Sequence, residues 1–466
     1  MTQQDHFLPG TDAEHPFGVL YQGEYETEHD GTARAVRLHA RALAATGLPV
    51  LIKSFSHSIV SADGVVEPVH NVGLSDRVVT ETLNPYKPAI EATERRQILS
   101  ALAPGAMPPP WILGRTASLR MSSIGQLVPS IKHLVVRSVE QLQNCILPRS
   151  VTHEDPSVVI ALRDAIYANT IVYSVWERDR IDPKIVRQLS RVGQCWVPCE
   201  QNRNALARSG VPAERVFVVP HPYEPEAALC KLVRRKPKPG KRFYSIGRWE
   251  PRKGYAELIE AFACAFHPGE ATLTLKVNLR NWPNYPSPEQ AMLHALRAHR
   301  SNGWTVESLA RDVVILTDML RDDQILKLHF NHNIYVSSSH GEAWNLGAFD
   351  AKVAGNVMVH VPYGGTSDFE NLDTDVRVPH RIGPVHASYG WETGAEWATY
   401  TVEALAEALR QVQAPTAYVR PDRCEERFSM AAVGRRMRDL VLQLVAETHP
   451  KAREYLASCV DRPNLP

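Results

Sequence analysis

The stretch YSIGRWEPRKGYAELIEAF, residues 244–262, passes from an apolar run through a short basic turn into an amphipathic segment. Leu258, Ile259 and Phe262 recur at helical spacing, and Gly247 and Gly254 bracket the turn before them. The stretch therefore reads as strand, loop, helix. In open α/β sheets ligands gather at the carboxyl ends of the strands, and a helix start adds unpaired N–H groups and partial positive charge. Arg248 and Lys253 stand at that edge. Two cations there suit an anion, above all a diphosphate that they stabilise as negative charge grows on its departure.

Outward from this unit the same alternation continues. Toward the C-terminus come ATLTLKVN, PEQAMLHALRAHR, DVVILT, DDQILKLHF, HNIYVSSS, LGAFDAKVAG and VMVHVPYGG, strand and helix in turn. Toward the N-terminus, FGVLYQG (17–23), TARAVRLHARALAATG (32–47) and LPVLIKSF (48–55) form a first crossover unit. Residues 56–130 hold a helix candidate at 89–103 and a proline-rich loop, PGAMPPPW. IKHLVVRSV, NTIVYSVWE, GQCWVPC and RVFVVPHPY then read as further strands. The expected class is α/β: two Rossmann-like, doubly wound parallel-sheet domains facing a central cleft. The boundaries are a tail at 1–16, an acceptor-side domain at 17–228, a basic linker at 229–242, a donor-side domain at 243–426, and a C-terminal helix at 427–466 expected to pack back on the first domain. KLVRRKPKPGKR (231–242) has seven basic residues in twelve, so it reads as a solvated linker or as a patch meeting an anionic acceptor. No fixed-period repeat is visible.

Composition narrows the class. With 466 residues, 44% of them hydrophobic, the chain has room for two cores. A net charge of +1 gives no global pull toward nucleic acid or membrane. Seven scattered cysteines form no paired ligand set, and Cys195 and Cys199 read as reduced, buried thiols. Neither a signal pattern nor a bilayer-length apolar run is present, so a cytoplasmic protein is expected.

A second constellation lies in SSSHGEAWNLGAFDAKVAGNVMVHVPYGGTSDFE, residues 337–370. Glu342 sits in a loop facing the cleft, and Asp350, eight residues on, lies about two turns into a helix. The amides between them, at Ala343, Trp344, Asn345 and Leu346, fall at the helix start and suit phosphate or sugar oxygens. Together, GRWEPRKG…LIEAF and S…GEAWNLGAFDAKVAG resemble the GT-B-fold, group-1 (family 4) retaining glycosyltransferases, which use nucleotide-sugar donors. That family shows Gly-Arg, four residues, Lys-Gly, and later Glu, seven residues, Glu. Here Asp350 replaces the second Glu, while YGGTSDFE resembles the family's Gly-Gly segment. SVWERDRIDPKIVRQL and WVPCEQNRNALARSGVP resemble its N-terminal domain. The resemblance implies that Arg248 and Lys253 neutralise the donor diphosphate and that Glu342 stabilises an oxocarbenium-like transition state. It implies that Asp350 takes the ribose hydroxyls and that the 343–346 amides contact sugar and phosphate. Ala343, Trp344 and Asn345 depart from the family's glycines and Phe, so the resemblance carries no donor-sugar preference.

Further candidates are Gly31 and Thr32, where a glycine at the first helix lets backbone approach the donor phosphate or is simply a loop-to-helix glycine. His29, Asp30, Trp176 and Glu177 are acceptor-side candidates. DTD (373–375) mimics a metal-binding Asp-x-Asp but reads as coincidence, and neither metal nor cofactor is expected beyond the nucleotide-sugar co-substrate. The acceptor (glycan, lipid, protein or modified nucleic acid), the donor base and the oligomeric state are not encoded in any motif. A GT-B epimerase or phosphorylase, or a non-catalytic nucleotide-sugar-binding subunit, would share these features.

Overall fold

In the computed structural model the described residues are 19–23, 31–48, 50–54, 129–136, 138–147, 163–164, 166–223, 228–279, 282, 284–385, 394–421 and 423–448. The helix expected at 89–103, and His29 and Asp30, lie outside them.

The first half builds a parallel sheet from β1 (Val19–Gly23), β2 (Val50–Ser54), β3 (Ser130–His133), β4 (Thr170–Tyr173), β5 (Gln194–Val197) and β6 (Val216–Val218), in the order β2-β1-β3-β4-β5-β6. Within it, β4 and β5 are short runs buried on both faces, as a sheet covered by helices requires. The strand order reverses between β1 and β3. Helix α1 (Gly31–Ala44) begins beyond β1, burying Ala35, Val36, Leu38, Ala42 and Leu43.

The second half repeats the plan with β7 (Lys241–Trp249), β8 (Ala271–Leu279), β9 (Val313–Leu316), β10 (Ile334–Ser337), β11 (Val357–His360) and β12 (Val376–Arg377). Their order is β12-β11-β10-β7-β8-β9, all parallel. Numbered from its own first strand, this is the dinucleotide-fold order 3-2-1-4-5-6, with its reversal between β7 and β10. The chain is thus a pair of Rossmann-like domains, the GT-B arrangement. Helix α2 (Tyr255–Ala265) follows β7 and buries Leu258, Ile259 and Phe262, each contributing about 1.5–3 kcal/mol of hydrophobic stabilisation.

The basic segment packs more than its charge predicts. A short helix, Ala228–Leu232, buries Cys230 and Leu232, and Lys241 and Arg242 already belong to β7. Arg235 and Lys238 lie over the Phe330 ring at 4.5 and 4.9 Å, and Asn333 donates to the carbonyls of Lys238 and Gly240. Backbone carbonyls and several of the charges of this segment find partners: Lys241 Nζ donates to Arg410 O at 2.6 Å and Arg242 Nη1 to Asn331 O at 3.2 Å.

The chain passes between the halves twice, and the two passages touch: Tyr223 N donates to Phe428 O at 2.9 Å. The helix Met430–Thr448 then returns to the first half. Its Val433, Met437, Leu440, Val441 and Leu444 join Val19, Tyr21, Val36, Ala40 and Leu43 in one core cluster.

Candidate functional site

Both reversal points carry the residues of interest at the carboxyl ends of their sheets, where the sheet opens a crevice. In the second sheet, the loop after β7 supplies Glu250, Arg252 and Lys253, and the loop after β10 supplies Glu342. Glu342 is 5% exposed. One carboxylate oxygen takes the Lys253 ammonium and the Ser339 hydroxyl; the other takes Arg252 Nη1 at 3.1 Å. Burial alone would raise its pKa, but Lys253 and Arg252 reverse this and hold the carboxyl down at about 2. Glu342 is therefore an anion throughout the working pH range.

The backbone at Glu342 is fixed from the far side by the Gly364–Gly365 pair. Glu342 N donates to Tyr363 O at 3.3 Å, and Gly365 N donates back to Glu342 O at 3.0 Å. Gly364 has φ 114°, and a Cβ there would overlap the Glu342 carbonyl oxygen. That close approach is why the YGGTSDFE segment carries two glycines.

Helix α3 (Leu346–Val353) starts at the same place. Asn345 caps it, accepting from Ala348 N at 3.1 Å. Trp344 is buried against Phe349, Phe369 and Phe428, with ring centroids 5.0–5.7 Å away, so its indole faces core while its backbone stays at the helix start. Asp350 is 6% exposed and forms a two-pronged ion pair with Arg34 of α1, whose Nη2–Oδ1 contact is 2.9 Å. The start of α1 meets the start of α3, since the space beside Gly31 is filled by the Leu346 side chain. His221, next to Trp344 at 5.6 Å, belongs to a sealed cluster with His39, His133 and Tyr173, and burial pushes all three histidines down. These imidazoles are neutral.

A loop beyond β4 closes the site. Glu177 Oε1 lies 3.1 Å from Arg252 Nη2, and Glu177's carbonyl oxygen seats on Gly341, where any side chain would overlap it. Asp179 takes Glu396 N at 2.6 Å and donates its own N–H to Glu396 O at 3.2 Å. Burial raises the Glu177 pKa, Arg252 opposes this, and Glu342 and Glu250 add to it.

The structure thus brings Lys253 to Glu342 by direct contact and Glu177 to the same loop through Arg252, and Gly31 to Leu346 at the start of the helix that carries Asp350. Arg248 is half-buried at the end of β7, in register with Asn278. Thr32 follows Gly31 in the first turn of α1. Trp176 gives its indole N–H to Arg180 O at 2.7 Å and carries the Arg178 guanidinium over its ring at 5.9 Å. Ala343 is buried beside Gly365. In the DTD segment, Asp375 is consumed by Lys352 at 2.7 Å and by the amides of Met358 and Asn371. Among the described residues no cluster of His, Cys, Asp or Glu has the makings of a metal site, and no helix is long and apolar enough to cross a membrane. Cys195 and Cys199 are buried free thiols whose pKa burial pushes up, Cys195 to about 12.

Three residues escaped the sequence reading: Arg252, Glu250 and Arg34. The adjacent cation in EPRKG was the available signal for Arg252. Arg34 had none, because its partner lies 316 residues away.

No family model and no curated protein matches the chain. Among solved structures it is similar to HepE of Anabaena in complex with UDP and glucose, at 13% identity, covering 95% of this chain and 100% of that one, TM-score 0.48. It is also similar to sucrose-phosphate synthase from Thermosynechococcus elongatus, at 15% identity, covering 92% and 100%, TM-score 0.45. The lipopolysaccharide outer core galactosyltransferase WaaB, in apo form, is similar at 10% identity over 92% and 99%, TM-score 0.48. These are likenesses of chain path, and the fold assignment rests on the two sheets themselves.

Proposed function

We propose that this protein is a retaining glycosyltransferase that moves a sugar from a nucleotide-diphosphate donor to an acceptor hydroxyl. The observation that carries the reading is the Glu342 carboxylate gripped by Lys253 at the reversal point of a dinucleotide-type sheet, with Asp350 on the adjoining helix. The motifs that resemble the family-4 enzymes fall on these same residues.

The chemistry follows from charge. As the bond between the anomeric carbon and the diphosphate breaks, the sugar turns cationic and the diphosphate gains negative charge. Glu342, ionised and held from two sides, stabilises the first. Lys253, Arg248 and the amides at the start of α3 stabilise the second. Asp350 takes the ribose hydroxyls, one methylene shorter than the Glu of the resembled family. In the closed structure Lys253 and Asp350 are engaged by Glu342 and Arg34. Donor binding exchanges those partners for phosphate and ribose. The donor needs no metal in this scheme, since side-chain cations and a helix start meet its charge. The expected setting is the cytoplasm, and the acceptor enters beside Glu177 and Trp176.

The test is hydrolysis and transfer with a panel of UDP-, GDP-, ADP- and dTDP-sugars. Wild type is expected to release nucleotide from at least one donor. Glu342→Gln is expected to lose about a hundredfold in kcat while still binding the nucleotide. Undiminished turnover by that variant would refute the assignment. Donor epimerisation without nucleotide release, or sugar release as a phosphate ester, would move the reaction to another class on the same fold.

A further inference from the structure

We propose that Arg252 is a positioning residue that ties the orientation of Glu342 to closure of the cleft, with Glu177 of the first domain reporting that closure. The inference rests on the reading of Glu342 as the acid at the donor sugar and adds to it how that acid is set.

Arg252 is 8% exposed, and its guanidinium meets Gly341, Glu342, Glu250 and Glu177. Nη1 donates to Gly341 O at 2.7 Å and to Glu342 Oε2 at 3.1 Å. Nη2 donates to Glu250 Oε1 at 2.7 Å and reaches Glu177 Oε1 at 3.1 Å. A guanidinium is a rigid planar fork, so a shift that follows a carboxylate on one prong turns the donors on the other. The prong toward Glu342 meets two groups of the second domain, Gly341 O and Glu342 Oε2. The other prong is shared with Glu177, which comes from the first.

Glu177 can report closure because it is seated twice. Its side chain meets Arg252, and its backbone carbonyl lies on Gly341, the residue just before Glu342. The two hydrogen bonds between Asp179 and Glu396 hold the same loop down. When the cleft opens, Glu177 leaves, and Arg252 loses that contact while keeping those to Glu250, Gly341 and Glu342.

The arrangement also divides labour between the two cations. Lys253 serves one oxygen of Glu342 and Arg252 serves the other. Once a diphosphate draws Lys253 away, Arg252 remains as the counter-ion that keeps Glu342 anionic and aimed. Lysine in its place would keep the charge but could not span both domains.

Arg252→Gln, Arg252→Lys, Glu177→Gln and the Arg252→Gln/Glu177→Gln pair test this on the full chain. The readouts are kcat and KM for nucleotide-sugar hydrolysis, nucleoside-diphosphate affinity by calorimetry, and radius of gyration by small-angle X-ray scattering. Arg252→Gln and Glu177→Gln are expected to lower kcat about tenfold or more, with nucleotide Kd within about threefold of wild type. Arg252→Lys is expected to recover part of the kcat lost in Arg252→Gln, and the pair to be no slower than Arg252→Gln alone, because both act through one contact. A role in folding alone would lower melting temperature and nucleotide affinity together and would add in the pair. Glu177→Gln with kcat within twofold of wild type, or losses that multiply in the pair, would overturn the proposal. Should wild type turn over no nucleotide sugar, the glycosyltransferase reading fails separately, and scattering still decides the coupling. Glu177→Gln is then expected to have a larger radius of gyration than wild type, and an unchanged radius would overturn it.

Discussion

At Asn345 the backbone takes φ 69°, a left-handed conformation that asparagine tolerates better than most side chains. The resembled family commonly uses glycine near this position. Asparagine adds a side chain that caps the following helix and reaches Ser337 at 3.0 Å, so the departure exchanges conformational freedom for a fixed turn. The same economy of single residues makes Asp368 a useful probe. Its carboxylate accepts from Glu200 N across the interface at 3.3 Å, and burial, only partly offset by that bond, raises its pKa to about 6. A carboxyl raised in the folded state costs stability where it is ionised, above pH 6. It gives that cost back as pH falls toward its unfolded value near ~4. Asp368→Asn keeps an acceptor for Glu200 and removes the charge. We expect it to be more stable than wild type at pH 8 by about 1 kcal/mol, discounted for partial exposure, with the difference mostly gone at about pH 4. Thermal melts at the two pH values measure this, and an advantage that grows on acidification would contradict the assignment.

At the scale of elements, the site depends on loops that lie unusually close to one another. The contact of the 364–365 loop with the 342–344 loop is possible only without a side chain at Gly364. Gly364→Ala is expected to cost about 2 kcal/mol or more, from strain at φ 114° and from displacement of the Glu342 carbonyl. Gly240, at φ 76° with open space around it, separates the two causes. Its alanine variant carries the backbone strain alone and is expected to lose less. Equal losses by denaturant melts would mean that the close approach to Glu342 is not constraining. The strands and helices around these loops were legible because apolar periodicity is local. AELIEAF announces its helix and HNIYVSSS its strand, each from its own few residues. The placement of Glu342 beside Lys253 was legible at one remove, since each lies just past a strand that the alternation identified. What periodicity did not reveal is that the basic segment near 230 buries Cys230 and Leu232, because clustered charge masks two apolar residues in a short helix.

At the scale of the molecule, the closed arrangement is held by contacts that no local pattern encodes. Arg34 and Asp350 are 316 residues apart, and Arg252 meets Glu177 only because two sheets bring their carboxyl ends together. In sequence, Arg252 reads as one more loop cation and Asp350 as a candidate for the ribose hydroxyls. Only the folded chain shows that Arg252 meets Glu177 and that Asp350 already has Arg34 where a ligand is proposed to bind. The buried Lys253–Glu342 pair makes this concrete, because removing one partner strands a charge that the other no longer balances. The account therefore turns on whether Lys253 exchanges that partner for a diphosphate. Isothermal titration of UDP, GDP, ADP and dTDP into wild type and Lys253→Ala tests this directly. We predict that at least one nucleotide binds wild type and that Lys253→Ala weakens it by about tenfold or more, roughly the ~1.5–3 kcal/mol of one charge-assisted contact. No binding by wild type, or equal binding by the two proteins, would contradict the account.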